Sequence, residues 1–174
     1  MDDLIFIDES GANLSMCRKY ARAIGGKRVK YACPYSRGNK HSIIGAVSAS
    51  GVEAALYGEW STNGDIFLDF VKKLLVPRLD RRKIVIMDNV GFHKVVGVRE
   101  AIEETGAILF YLPPYSPDLS PIENMWSKIK SLLRKFSPRT RSQFKKVIRV
   151  AFESVSKKDL MSWFKHCGYK IALR

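Results

Sequence analysis

With 174 residues, 46% of them hydrophobic and 11% aromatic, the chain has enough apolar surface for a single folded domain, which excludes a disordered or fibrous protein. No apolar run approaches the roughly 18 residues that cross a bilayer, the start MDDLIFIDES is acidic where a secretion signal is basic, and three cysteines in no CxxC pair outline neither a disulfide framework nor a zinc knuckle; a cytoplasmic protein with reduced thiols and no membrane partner is expected. The net charge of +13, from 30 Lys and Arg against 17 Asp and Glu, favours a polyanionic partner, although a solubilising surface would produce the same sum.

LIFI (4–7) and KIVIM (83–87) are short apolar runs rich in β-branched residues, the pattern of strands buried on both faces, and each ends at an aspartate. Between them HSIIGAVSASG and VEAALYGEW read as two strands joined by a turn at Ser50 and Gly51. From Thr62 a capping-box pattern, with Asp65 three residues on, opens an amphipathic helix that Pro77 ends. The stretch from about His93 to Thr105 reads as a second helix with Gly106 as its cap, and ILFYL (108–112) as a fifth strand.

PPYSPDLSP (113–121) holds four prolines and cannot be helix or central strand. Beyond it Ile122, Met125, Trp126, Ile129, Leu132, Leu133 and Phe136 recur at helical spacing, and two further helices follow around Phe144 to Val155 and Leu160 to Cys167. The order predicts an α/β fold: a mixed sheet of about five strands, an antiparallel meander plus parallel strands, flanked by helices. Trp126 and Trp163 fall on apolar helix faces and are expected in the core.

If the LIFI and KIVIM strands are parallel neighbours, Asp8 and Asp88 emerge together at one edge of the sheet. Two close carboxylates repel unless one is protonated or a hard cation such as Mg²⁺ or Mn²⁺ lies between them. Glu123 sits at the edge of the apolar stripe of its helix, where it can reach the same edge. Ser120, Pro121, Ile122 and Glu123 also match a capping box with proline in the first turn, and taken alone that pattern favours a cap. Asp118, a turn residue in SPDLSP, is the substitute third acid. Glu9 is expected on the opposite sheet face from Asp8 if the strand continues through it.

Thirty-four residues separate Asp88 from Glu123, within the strings MDNVGFHK and YLPPYSPDLSPIENMWSKIK. Together with IFIDES at the start and WFKHCGY at the end, these closely resemble DDE transposases of the mariner superfamily, in particular the bacterial insertion-sequence branch with a D…D-x34-E signature. The resemblance spans nearly the whole chain. It implies an RNase H-like fold, catalytic and metal-ligating roles for Asp8, Asp88 and Glu123, and a two-metal Mg²⁺ or Mn²⁺ site that hydrolyses phosphodiesters and transfers a 3′-OH strand into target DNA. It further implies DNA partners (transposon ends and a target, typically TA), room for a homodimer in the active complex, no organic cofactor, and a bacterial, nucleoid-associated location.

Asn89 and His93 match the family's second motif and are candidates for phosphate or supporting contacts, although a histidine there reads more readily as a surface or capping residue. Residues 121–174 hold 14 basic and 3 acidic residues, and residues 18–40 hold 8 basic and no acidic ones. The candidate phosphate contacts are Lys27, Arg28 and Lys30 early, then Lys130, Arg134, Lys135, Arg139, Arg141, Lys145 and Lys146. The family's N-terminal helix-turn-helix region has no counterpart in residues 1–174, which are expected to form one catalytic domain. Another RNase H-like nuclease, or an inactive DNA-binding remnant, remains an alternative reading.

Overall fold

The computed structural model describes residues 3–36 and 38–170. Five strands, β1 (Leu4–Asn13), β2 (Lys40–Val47), β3 (Val52–Gly58), β4 (Ile84–Met87) and β5 (Ile108–Tyr111), form one sheet in the order β3-β2-β1-β4-β5. β1, β2 and β3 pair antiparallel, while β4 runs parallel to both β1 and β5. The turn between β2 and β3 closes with Ser48 N donating to Gly51 O at 2.9 Å.

Alternation along the strands sends side chains to two cores, which is why the runs read as continuously apolar. Phe6, Ile43 and Ile86 face α3 (Pro121–Phe136), α4 (Arg141–Glu153) and α5 (Lys157–His166). Ile5, Ile7, Ile44, Val85 and Met87 face α1 (Gly64–Phe70), its continuation to Arg78, and α2 (Val98–Glu103). Trp126 is buried in the first core and Trp163 packs against it, as their spacing predicts. Gly45 makes room for Trp126: a Cβ there would stand 2.8 Å from Trp126 Cη2.

Four boundaries differ from expectation. β1 does not end at Asp8; it continues to Asn13, because β2 supplies an antiparallel partner for residues 9–13. The cap of α1 is Asn63, not Thr62: its Oδ1 accepts from Ile66 N at 2.9 Å. The predicted helix from His93 is two pieces, a 3-10 turn (Gly91–Lys94) and the short α2, since Gly97 takes a left-handed φ of 95° between them. At α3, Pro121 takes the first turn as expected, but the capping box does not form.

Candidate active site

β1 and β4 run in register, with Ile7 opposite Met87. The next residue of each is an aspartate, so Asp8 and Asp88 stand side by side where β4 stops. From β5 the chain passes Leu112, whose N donates to Met87 O at 2.8 Å, and enters the proline-rich loop. That loop, Asp8, Asp88, Asn89 and Glu123 line one cleft of about 400 Å³. Asp118 lies in the 3-10 turn Pro117–Leu119, outside the cleft lining, as a turn residue.

Ser120 decides between cap and ligand for Glu123. Its N donates to Pro117 O at 2.9 Å, closing the 3-10 turn, and its side chain makes no cap bond. No donor at the helix start therefore recruits the Glu123 carboxylate, which lies exposed at the cleft wall.

Asp8 is the most perturbed acid. Its Oδ2 accepts from Trp126 Nε1 at 2.8 Å. Burial above all, then Glu9 and more weakly Glu123, raise its carboxyl to about 7 despite that bond.

On the other sheet face Glu9 Oε1 meets His93 Nε2 at 2.8 Å, so Asp8 and Glu9 diverge as alternation requires. His93 Nδ1 lies 2.6 Å from Asp88 Oδ1 and 3.2 Å from the Asp88 carbonyl. His93 is fully buried, packed on Phe67 with ring centroids 4.4 Å apart, and is not the surface or capping residue its position suggested. Burial disfavours its charged form, but the contacts with Asp88 and Glu9 outweigh this and raise it to about 10. His93 thus stands as a cation between two acids, fixing the loop after β4. No sequence signal pointed to Glu9 as its partner, 84 positions away.

Among the described residues no three His, Cys, Asp or Glu side chains stand close enough, as oriented, to hold a metal ion. One oxygen of Asp8 accepts from Trp126, and Asp88 lies against His93. The donor chemistry nonetheless suits a hard divalent cation, since three carboxylates share one cleft without a lysine or arginine in its lining. Asp88 Oδ1 is buried and makes no hydrogen bond, although His93 Nδ1 lies 2.6 Å from it. An aspartate raised to about 7 by burial and neighbouring acids, as Asp8 is, is a carboxyl that a divalent cation beside it would favour in its charged form.

The basic candidates divide. Lys27, Arg28, Lys30, Lys135, Lys145 and Lys146 are exposed, and Lys130 and Arg134 half-buried. Arg139 is committed to structure: its guanidinium donates to Leu14 O at 2.6 Å, Met16 O at 3.1 Å and Cys17 Sγ at 3.2 Å. Arg141 pairs with Glu59 at 2.6 Å. These two cations have protein partners that a sequence pattern does not reveal.

The chain belongs to the DDE superfamily endonuclease family, whose model matches residues 3–145. Its fold is similar to that of a pre-cleavage Mos1 transpososome (TM-score 0.73, 17% identity, 96% of this chain and 55% of that one). It is likewise similar to the Mos1 strand transfer complex (0.74, 18%, 95% and 51%) and to the Mos1 transposase catalytic domain with raltegravir and Mg (0.72, 16%, 95% and 78%). The shared architecture is the RNase H-like mixed sheet. The chain spans about half the length of the Mos1 chains in the first two. No curated protein matches it.

Proposed function

We propose that this chain is the catalytic unit of a mariner-type transposase, cutting DNA at transposon ends and joining the freed 3′-OH to target DNA. The observation that carries this reading is the convergence of Asp8, Asp88 and Glu123, far apart in sequence, on one cleft. Membership of the endonuclease family supports it, as does the likeness to Mos1 complexes described as containing Mn and Mg.

In this reading Asp8, Asp88 and Glu123 hold two Mg²⁺ or Mn²⁺ ions. Bound there, they would activate water and stabilise the leaving 3′ oxygen. In hydrolysis the water oxygen attacks phosphorus, the P–O3′ bond breaks, and a 5′-phosphate and a 3′-OH result. In strand transfer that 3′-OH replaces water and attacks a target phosphodiester, for which a TA step is the proposed site; the new bond joins the freed 3′ oxygen to the target 5′-phosphate, the target P–O3′ bond breaks, and the target strand leaves with a 3′-OH. Trp126 holds Asp8, and His93 with Glu9 holds the Asp88 loop, so the protein positions its acids before substrate arrives. Asn89, at the cleft wall, is placed for a phosphate contact. Lys27, Arg28, Lys30, Lys130, Arg134, Lys135, Lys145 and Lys146 attract the DNA backbone without reading sequence. A homodimer acting on paired ends, and a nucleoid-associated bacterial setting, complete the proposal.

The test offers a supercoiled plasmid and an oligonucleotide with a free 3′-OH, with Mn²⁺. Nicking and joining are both expected, and Asp88→Ala and Glu123→Ala should abolish both while changing DNA affinity by less than about threefold, since phosphate contacts lie elsewhere. Nicking without joining indicates another RNase H-like nuclease. Binding without either reaction indicates an inactive remnant.

A further inference from the structure

Between β1 and β2 the chain makes a long excursion, and among its described residues the one regular piece is the 3-10 turn Ile24–Gly26. Its two limbs meet again at the junction between α3 and α4. On the outgoing limb Arg139 donates to Leu14 O, Met16 O and Cys17 Sγ, and Arg18 Nε donates to Lys135 O at 3.3 Å. On the returning limb Tyr31 Oη donates to Ser137 Oγ at 3.3 Å, and a Cβ on Gly38 would stand 3.5 Å from Leu14 Cβ. Cys17 and Cys33 stand at this neck, and the Cys33 thiol hydrogen-bonds to Cys17.

Both are free thiols, Cys33 exposed and Cys17 half-buried, whereas Cys167 is buried at the end of α5. Sulfurs already in hydrogen-bond contact need little backbone movement to bond. The bond to Cys17 pushes the Cys33 thiol up, so the shared proton stays on Cys33 and Cys17 presents its lone pair. Arg139 Nη2, 3.2 Å from Cys17 Sγ, holds that sulfur in place. Between the two cysteines lie Arg18, Lys19, Arg22, Lys27, Arg28 and Lys30, all exposed, and no acid. The exposed hydrogen bonds at the neck are individually weak, so ordering this strap on a polyanion costs conformational entropy. A covalent neck removes part of that cost before binding.

We propose that Cys17 and Cys33 are a redox modification site, forming a reversible disulfide that closes the basic strap and tightens its hold on DNA phosphates. The effect on DNA rests on the DNA-cutting reading above; the cross-link does not. The oxidant is a small-molecule disulfide of the glutathione class. The Cys17 sulfur attacks one of its sulfurs, the S–S bond breaks, and a small thiolate leaves. Cys33 then attacks the Cys17 sulfur of the mixed disulfide, and the second small thiolate leaves. The two protein thiols lose two electrons, the small disulfide gains them, and the two cysteine protons end on the departing thiols. Disulfides inside cells are typically transient and redox-sensing, in keeping with a bond that reduction reopens.

The test equilibrates the folded chain with oxidised glutathione and maps its peptides by mass spectrometry. Affinity for a DNA duplex is measured by fluorescence anisotropy without divalent metal, before and after dithiothreitol. A Cys17–Cys33 cross-link is expected, with Cys167 still free, and DNA affinity about threefold tighter until reduction, the size of one side chain's ordering cost. Cys33→Ser should hold glutathione on Cys17 instead, without the gain in affinity. Glutathione adducts in wild type with no cross-link, or a bond to Cys167, would overturn the pairing. A cross-link that leaves measurable DNA affinity unchanged or weaker would overturn the role of the strap. DNA binding in neither redox state, with the cross-link formed, would overturn the DNA-cutting reading and leave the modification site standing.

Discussion

Trp126 Nε1 donates to Asp8 Oδ2 at 2.8 Å, joining the second turn of α3 to the central strand across 118 positions of sequence. The bond opposes the rise in the Asp8 pKa, so removing it alone should weaken the acid further. Trp126→Phe keeps most of the apolar packing and loses the donor. The pH for half-maximal Mn²⁺ binding, measured by calorimetry, is expected to move upward, with a stability loss of about 1 kcal/mol for the missing bond. An unmoved midpoint would mean that indole contributes packing alone.

Asp8 also sets a pH dependence. Its folded value of about 7 lies above the ordinary 3.8, because burial, then Glu9, then Glu123 disfavour the anion. The folded state therefore binds this proton more tightly than the unfolded one, and the carboxyl's contribution to stability without metal is lost as pH rises from about 4 to 7. Below pH 7 a cation must displace the proton. Apparent Mn²⁺ affinity should climb about tenfold per pH unit up to neutrality and then level, and Asp8→Asn should flatten that slope.

His93 behaves in the opposite sense. Burial lowers it, but Asp88 and Glu9 carry it to about 10, above the ordinary 6.5. Its stabilising charge is fully present below pH 6.5 and disappears as pH passes through 10. His93→Ala leaves Glu9 without its cation in a nearly closed setting, its side chain 13% exposed. Urea denaturation at pH 7 should show a loss of about 3 kcal/mol. A variant as stable as wild type would show that water replaces the imidazole at no cost.

Gly45 tests the same region by volume. A Cβ there meets Trp126 Cη2 at 2.8 Å and Met125 Cε at 3.2 Å, both anchored in the core. Gly45→Ala should cost about 1–3 kcal/mol in thermal or urea unfolding. Mn²⁺ affinity should fall with it, because a displaced Trp126 no longer holds Asp8.

Two groups of basic residues should part company. Lys145 and Lys146 are exposed on α4, and changing both to alanine should reduce the slope of log affinity against log salt by up to about 2 without altering the melting temperature. Arg139→Ala should lower the melting temperature instead, because three atoms of residues 14, 16 and 17 lose their donor.

Much of this was legible along the chain, for identifiable reasons. The runs ending before Asp8 and Asp88 are buried on both faces, so their composition alone marks them as central strands. The stripe from Ile122 to Leu133 marks α3 equally plainly. The extension of β1 through ESGAN was hidden, because its pairing comes from β2 and not from its own apolar content. Thr62 and Asn63 are both good caps and adjacent, so their order rests on geometry. Glu123 had two chemically sound roles, and what separates them is where the Ser120 N–H goes. The burial of His93 depends on Glu9 across the sheet, a pairing for which no local pattern exists.

The bond between Trp126 and Asp8 has a consequence for biosynthesis. The first acid leaves the ribosome with β1, whereas the indole that restrains it and the third acid follow more than a hundred residues later, on α3. Until α3 is made, the nascent polypeptide holds both aspartates and all five strands but neither the indole nor the third acid. The proposed cutting centre, assembled in this order, lacks its third acid until the late helix docks, so a product truncated before α3 would be inert.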